Sequence, residues 1–132
     1  MSSSKKILVV DDDPIFRLIA KKLLEKSHLF DEIVFQENGL EAMKYLKSLN
    51  PPDKLPDIIL LDIEMPIMNG WSFLENYQQL PQQQRQNISV YTVSSSIALE
   101  DKNKAASFPD IKSYITKPLT LEIVMQLAEG QL

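Results

Sequence analysis

The run Ile58-Ile59-Leu60-Leu61, followed at once by Asp62, restricts the fold more than any other stretch of the chain. Four apolar residues without polar alternation read as a strand covered on both faces, the signature of a parallel sheet. Asp62 then stands where that strand leaves the core. Met65-Pro66 and Asn69-Gly70 break regular structure, so the chain leaves through a loop. Ligand chemistry in open α/β sheets sits at the C-terminal ends of strands. Taken alone, Asp62 reads equally well as the cap of a strand or turn.

Ile7-Leu8-Val9-Val10 repeats the pattern and meets Asp11-Asp12-Asp13. Pro14 suits a first helical turn, with Asp13 best placed to cap it. The helix is expected to run to about Ser27, with Ile15, Leu18, Ile19, Leu23 and Leu24 inward and Arg17, Lys21, Lys22 and Glu25 outward. Ile33-Val34-Phe35 is a shorter strand. Asn38-Gly39 turns into a helix marked by Leu40, Met43, Tyr45, Leu46 and Leu49. Three prolines within residues 50–56 make a loop before the strand that ends in Asp62. A helix over about Ser72 to Leu80 follows. The glutamine-rich stretch Gln78 to Gln86 reads as helix end and solvated loop. Ile88 to Val93 is a fourth strand, a weak polar helix spans about Leu99 to Ser107, and Ser113 to Thr116 is a fifth strand. Lys117-Pro118 follows it, and Thr120 caps a last helix to about Glu129, with Leu121, Val124, Leu127 and Ala128 inward. Five strands alternating with five helices predict a parallel sheet covered on both sides by right-handed crossovers.

The chain's 132 residues fit one domain, read as 1–132 with a core of about 6–128 and no linker to an output domain. The absence of cysteine excludes disulfides, thiolate metal sites and thiol catalysis. A net charge of −4 argues against general binding to nucleic acid or anionic membranes. No apolar run approaches membrane-spanning length. Only Ile7 to Val10 follow the basic start before the aspartates, so no export signal is expected and the location reads as cytoplasmic.

In a parallel sheet all strand C-termini share one edge. That gathers Asp11, Asp12, Asp62, Ser94 and Lys117. Ser95 and Ser96 follow Ser94, but Ser94 directly succeeds Val93, the last apolar residue of its strand. Clustered carboxylates repel unless a cation neutralises them. An all-oxygen donor set favours Mg²⁺ or Mn²⁺ over Zn²⁺. A lysine and a hydroxyl aimed at the same point complement a phosphoryl group.

These motifs together resemble the response-regulator receiver domain of two-component signalling: Val9-Val10-Asp11-Asp12, Leu61-Asp62-Ile63-Glu64-Met65-Pro66 with Gly70 downstream, Ser94, and Lys117-Pro118. The resemblance covers roughly Lys6 to Ala128. It implies a flavodoxin-like (βα)5 three-layer sandwich with a five-stranded parallel sheet of order 2-1-3-4-5. It implies that Asp62 is the phosphoacceptor, a carboxylate nucleophile toward a phosphohistidine, served by Ser94 and Lys117. Asp12 and Asp62 would ligate Mg²⁺ (or Mn²⁺), Asp11 mainly through water, with the Glu64 backbone carbonyl adding an oxygen. Tyr114 stands at the switch position and turns inward as the Ser94 loop closes. Glu64 and Ser96 stand where the family tunes phosphoryl hydrolysis. The Lys117-Pro118 peptide is expected to be cis. Ile111-Lys112-Ser113 replaces the small pair often found there, which points to a differently shaped approach to the fifth strand.

The implied partners are a sensor histidine kinase or histidine phosphotransfer protein, and a downstream protein reached through the fourth helix, fifth strand and fifth helix. The last helices leave room for a phosphorylation-dependent homodimer; no direct nucleic-acid contact is implied. The chain reads as a switch that catalyses its own phosphorylation and dephosphorylation rather than as a dedicated enzyme. Asp11 and Asp13 also form an Asp-x-Asp resembling haloacid-dehalogenase phosphatases, but no acid closely follows Lys117 and no cap insertion is present. A receiver reduced to a docking module is the other alternative, against which the complete residue set argues. His28 and Gln82-Gln83-Gln84 read as surface, Trp71 as packing, and Met65 and Met68 as core or loop filler.

Overall fold

The computed structural model describes residues 5–50, 54–65, 67–95 and 99–132, with backbone alone at 99 and 100. In chain order the elements are β1 (Lys6–Val10), α1 (Pro14–Ser27), β2 (Glu32–Gln36), α2 (Gly39–Ser48), β3 (Ile58–Asp62), α3 (Gly70–Tyr77), α4 (Gln82–Arg85), β4 (Ser89–Ser94), α5 (Leu99–Ala106), β5 (Ile111–Thr116) and α6 (Leu121–Glu129). The strands pair in parallel in the order β2-β1-β3-β4-β5.

The unbroken apolar runs of β1 and β3 follow from this architecture. Successive side chains point to opposite faces of a strand, and here both faces are covered. Ile7, Val9, Ile58 and Leu60 pack with Phe16, Ala20 and Leu24 of α1 and Val124 and Leu127 of α6. Leu8, Val10, Ile59 and Leu61 pack with Ala42, Met43 and Leu46 of α2 and Phe73, Leu74 and Tyr77 of α3.

Side-chain caps start the helices at the sheet's functional edge. Asp13 accepts from the Ile15 N–H, Asn38 from Glu41, Asn69 from Ser72 and Thr120 from Ile123. His28 closes α1 in the left-handed region at φ 57° and is exposed.

Several expectations need correction. The inward face of α1 is Phe16, Ala20 and Leu24, with Leu23 partly buried, whereas Ile15, Leu18 and Ile19 are 68%, 53% and 45% exposed. The helix carries two apolar stripes at helical spacing, and periodicity does not say which one meets the sheet. On α6, Val124, Leu127 and Ala128 are buried as expected and Leu121 is only half-buried.

The third helix begins at Gly70 and ends at Tyr77 rather than spanning Ser72 to Leu80. Its cap, Asn69, lies three residues before the expected start. The glutamine-rich stretch is not only loop: Gln82–Arg85 forms the short α4. Arg85 pins it, donating from Nε to the Leu80 carbonyl at 2.9 Å and pairing with Asp110 at 3.2 Å. These partners are not periodic in sequence, so local pattern could not reveal them. β5 starts at Ile111, two residues earlier than expected. Val90 faces Ile111 but Tyr91 faces Ser113, so Lys112 is an extra residue. That bulge lies inside β5 itself, since Ile111, Lys112 and Ser113 belong to the strand and not to a loop before it.

Candidate functional site

β1, β3 and β4 all end at one rim. Asp11 directly follows β1 and is 1% exposed; Asp62 is the last residue of β3 and is 4% exposed; Ser94 ends β4 and is fully buried. Asp12 is exposed. One carboxylate oxygen from each of Asp11, Asp12 and Asp62 lies within 4.8 Å of the others.

Backbone bonds set this geometry. The Asp11 N–H donates to the Gln36 carbonyl at 3.1 Å, and the Ile63 N–H to Val93 at 3.2 Å. The Asp13 N–H donates to Asp11 Oδ1 at 2.8 Å, holding that carboxylate across the turn. Gly70 brings the exit loop back on β3, its N–H donating to the Ile63 carbonyl at 2.9 Å. A Cβ at Gly70 would lie 2.8 Å from the Asp62 carbonyl oxygen and 2.8 Å from Ile63 Cα. Only glycine permits that approach.

Lys117 reaches the acids from just past β5. Its Nζ lies 3.1 Å from Asp11 Oδ2 and 3.8 Å from Asp62 Oδ1. The Lys117 N–H donates to the Ser94 carbonyl at 2.8 Å, tying the lysine to the end of β4. The Lys117-Pro118 peptide is cis. The Asp62 carboxyl is pushed up to about 7, chiefly by burial and then by neighbouring Asp11; Lys117 and the Glu64 N–H pull it back. Burial raises Asp11 as well, against the Asp13 N–H and Lys117. Two buried carboxylates facing one ammonium leave excess negative charge, which a divalent cation would offset. The donors are all oxygen, as a hard ion requires. This cluster is able to hold one divalent metal.

Glu64 has two roles in the geometry. Its N–H donates to Asp62 Oδ1 at 3.3 Å. Its side chain accepts from the Ser94 hydroxyl at 3.2 Å and from the Ser95 hydroxyl at 3.5 Å. Tyr114 sits on β5 opposite Thr92, half-buried. Ser96 lies outside the described residues.

Two participants had no local signal. The Phe16 ring lies 4.4 Å from Lys117 Nζ, a cation–π platform supplied by α1. Arg17, expected only on a solvent face, donates from Nη1 to the Asp11 carbonyl at 2.7 Å. The lysine and the phenylalanine are 101 positions apart, and the arginine's partner is a backbone atom. Neither contact leaves a sequence pattern.

Known proteins share this fold. The family model for the response regulator receiver domain matches residues 7–129, so the chain belongs to that family. It is 30% identical over 124 residues to the chemotaxis protein CheY of Halobacterium salinarum, covering 92% of each chain. It is 32% identical over 116 residues to the sensor histidine kinase CheAY of Helicobacter pylori, covering 88% of this chain and 13% of that protein. It spans 22% of a protein-glutamate methylesterase/protein-glutamine glutaminase from Vibrio vulnificus. Among solved structures, a two-component response regulator from Cytophaga hutchinsonii superposes with a TM-score of 0.85 at 28% identity, covering 97% of this chain and 98% of that one. The Mn²⁺-bound form of response regulator Rcp1 gives 0.74 at 26% identity, covering 96% and 90%.

As a receiver, the chain is a phosphoacceptor of two-component signalling, in a family whose members interact with histidine kinases. Among the described residues no helix is long and apolar enough to cross a membrane.

Proposed function

We propose that Asp62 takes a phosphoryl group from the phosphohistidine of a sensor histidine kinase or a histidine phosphotransfer protein, and that Mg²⁺ (or Mn²⁺) serves the transfer. The observation that carries this is the convergence of Asp11, Asp12 and Asp62 within 4.8 Å, with Lys117 Nζ 3.1 Å and 3.8 Å from two of them. Asp12, Asp62 and the Glu64 carbonyl would hold the ion, with Asp11 acting mainly through water. The bound ion would neutralise charge on the acids and on the transferring group. The existence of a Mn²⁺-bound form of response regulator Rcp1 supports a divalent ion here.

An Asp62 carboxylate oxygen attacks phosphorus. The bond from phosphorus to the donor nitrogen breaks, and its electron pair stays on the imidazole. Lys117 stabilises the charge on the phosphoryl oxygens. Afterwards the Ser94 hydroxyl donates to the phosphoryl group, Tyr114 turns inward, and the face made by α5, β5 and α6 changes for a downstream partner. Ser96 tunes hydrolysis. The chain catalyses both its phosphorylation and its dephosphorylation without acting as a dedicated enzyme on other substrates.

The donor must approach over the rim, where Ile15, Leu18 and Ile19 leave the surface of α1 apolar directly after the acidic loop. A kinase or phosphotransfer protein covering that stripe would bring its histidine toward Asp62.

The test is intact-mass spectrometry after incubation with acetyl phosphate. One phosphoryl group is gained with Mg²⁺ present and none in excess EDTA, while Lys117→Ala still binds Mg²⁺ but fails to switch. Absence of any gain in the wild-type protein, together with no Mg²⁺-dependent binding of beryllofluoride, would leave only a docking module.

A further inference from the structure

We infer that the Glu64 carboxylate is an internal competitor for the Ser94 hydroxyl, a latch that phosphorylation must open. This deepens the proposed function and rests on it. Ser94 is fully buried, and its hydroxyl donates to Glu64 Oε1 at 3.2 Å; Ser95 donates to the same oxygen at 3.5 Å. A serine hydroxyl has one proton to donate. While it is aimed at Glu64 it is withheld from a phosphoryl group on Asp62, two residues away. The competing acceptor is a carboxylate, and at 3.2 Å the bond is long enough for a phosphoryl oxygen at closer range to displace it. A phosphoryl group adds about −1.5 to −2 charge beside the Glu64 carboxylate, so the two anions repel and only one holds the hydroxyl.

Room for the displaced carboxylate already exists. Glu64 borders a shallow cleft of about 470 Å³ lined also by Ile63, Met65, Asn69, Trp71 and Asp101. Glu64 is itself exposed, so its release into that cleft exposes no buried charge. Unphosphorylated, the latch holds the end of β4 against the exit loop of β3. Phosphorylated, the phosphoryl group takes Ser94, and Glu64 swings into the cleft. The latch thus raises the threshold for switching and shortens the hold on the phosphoryl group.

The experiment is a double-mutant cycle. Beryllofluoride, a phosphoryl mimic for carboxylates, is titrated with Mg²⁺ into wild type, Glu64→Ala, Ser94→Ala and the double variant. Glu64→Ala is expected to bind it about tenfold more tightly while Ser94 is present, and less than about threefold more tightly without it. Equal gains in both backgrounds, or none, would overturn the latch, because Glu64 would then act by charge alone or not at all. Should Ser94→Ala bind too weakly to measure, thermal denaturation of the four ligand-free proteins gives the same cycle. Non-additive losses support the latch and additive losses overturn it. A wild-type protein that binds no beryllofluoride would remove Asp62 as the acceptor, and the inference with it.

Discussion

At the scale of single residues, Asp62 is held in an environment that resists its charge. Its carboxyl is raised from 3.8 to about 7, first by burial and then by Asp11. Between those values the folded chain keeps a proton that the unfolded chain has released. Stability from this position therefore falls as pH rises from 3.8 to about 7, by at most about 1.4 kcal/mol per pH unit, and levels off above. Asp62→Asn removes the charge, so it should raise the melting temperature of the metal-free protein, and by more at about pH 8 than at about pH 5. Mg²⁺ should stabilise the wild-type protein with the same pH preference. Thermal denaturation in EDTA and in Mg²⁺ checks both, and shifts independent of pH would contradict the account. Gly70 is a second such point. Gly70→Ala places a methyl group 2.8 Å from backbone at the end of β3. It should lower stability by about 1 to 3 kcal/mol in chemical denaturation and slow acetyl phosphate labelling, because the clash moves the strand end that carries Asp62.

At the scale of elements, α1 presents one apolar stripe to the sheet and another outward. Ile15→Glu and Leu18→Glu alter only exposed positions. Stability should stay within about 0.5 kcal/mol of wild type. Transfer from the cognate kinase should slow while labelling by acetyl phosphate, which needs no docking, keeps its rate. Equal slowing with both donors would remove α1 as the docking surface. α4 has the opposite character, since one clamp at the far end of the molecule holds it. Asp110→Ala leaves Arg85 its bond to the Leu80 carbonyl but removes its carboxylate partner beside the Tyr77 ring. A loss of about 1 to 2 kcal/mol is expected, together with earlier proteolysis within Gln82–Arg85 and an unchanged rate of phosphorylation.

At the scale of the whole molecule, a buried parallel sheet brings together groups that are far apart in the chain. The strands were legible because burial on both faces leaves unbroken apolar runs, as at Ile58 to Leu61. The convergence of Asp11, Asp62, Ser94 and Lys117 was legible because parallel strands share one C-terminal edge. The inward stripe of α1 was not, since both its stripes repeat every three to four residues and only contact with β1 and β3 selects between them. Nor were the Phe16 platform, the Arg17 bond to the Asp11 carbonyl or the Glu64 hold on Ser94, which depend on side-chain directions across neighbouring elements. The central claim is that this convergence makes one carboxylate, Asp62, the acceptor. The most direct test treats the Mg²⁺- and acetyl phosphate-labelled protein with borohydride, which reduces an acyl phosphate to an alcohol, and locates the modified residue by peptide mass spectrometry. The account predicts reduction at position 62 and none in Asp62→Asn; reduction at Asp11 would contradict it and point to phosphatase-like chemistry on the first strand.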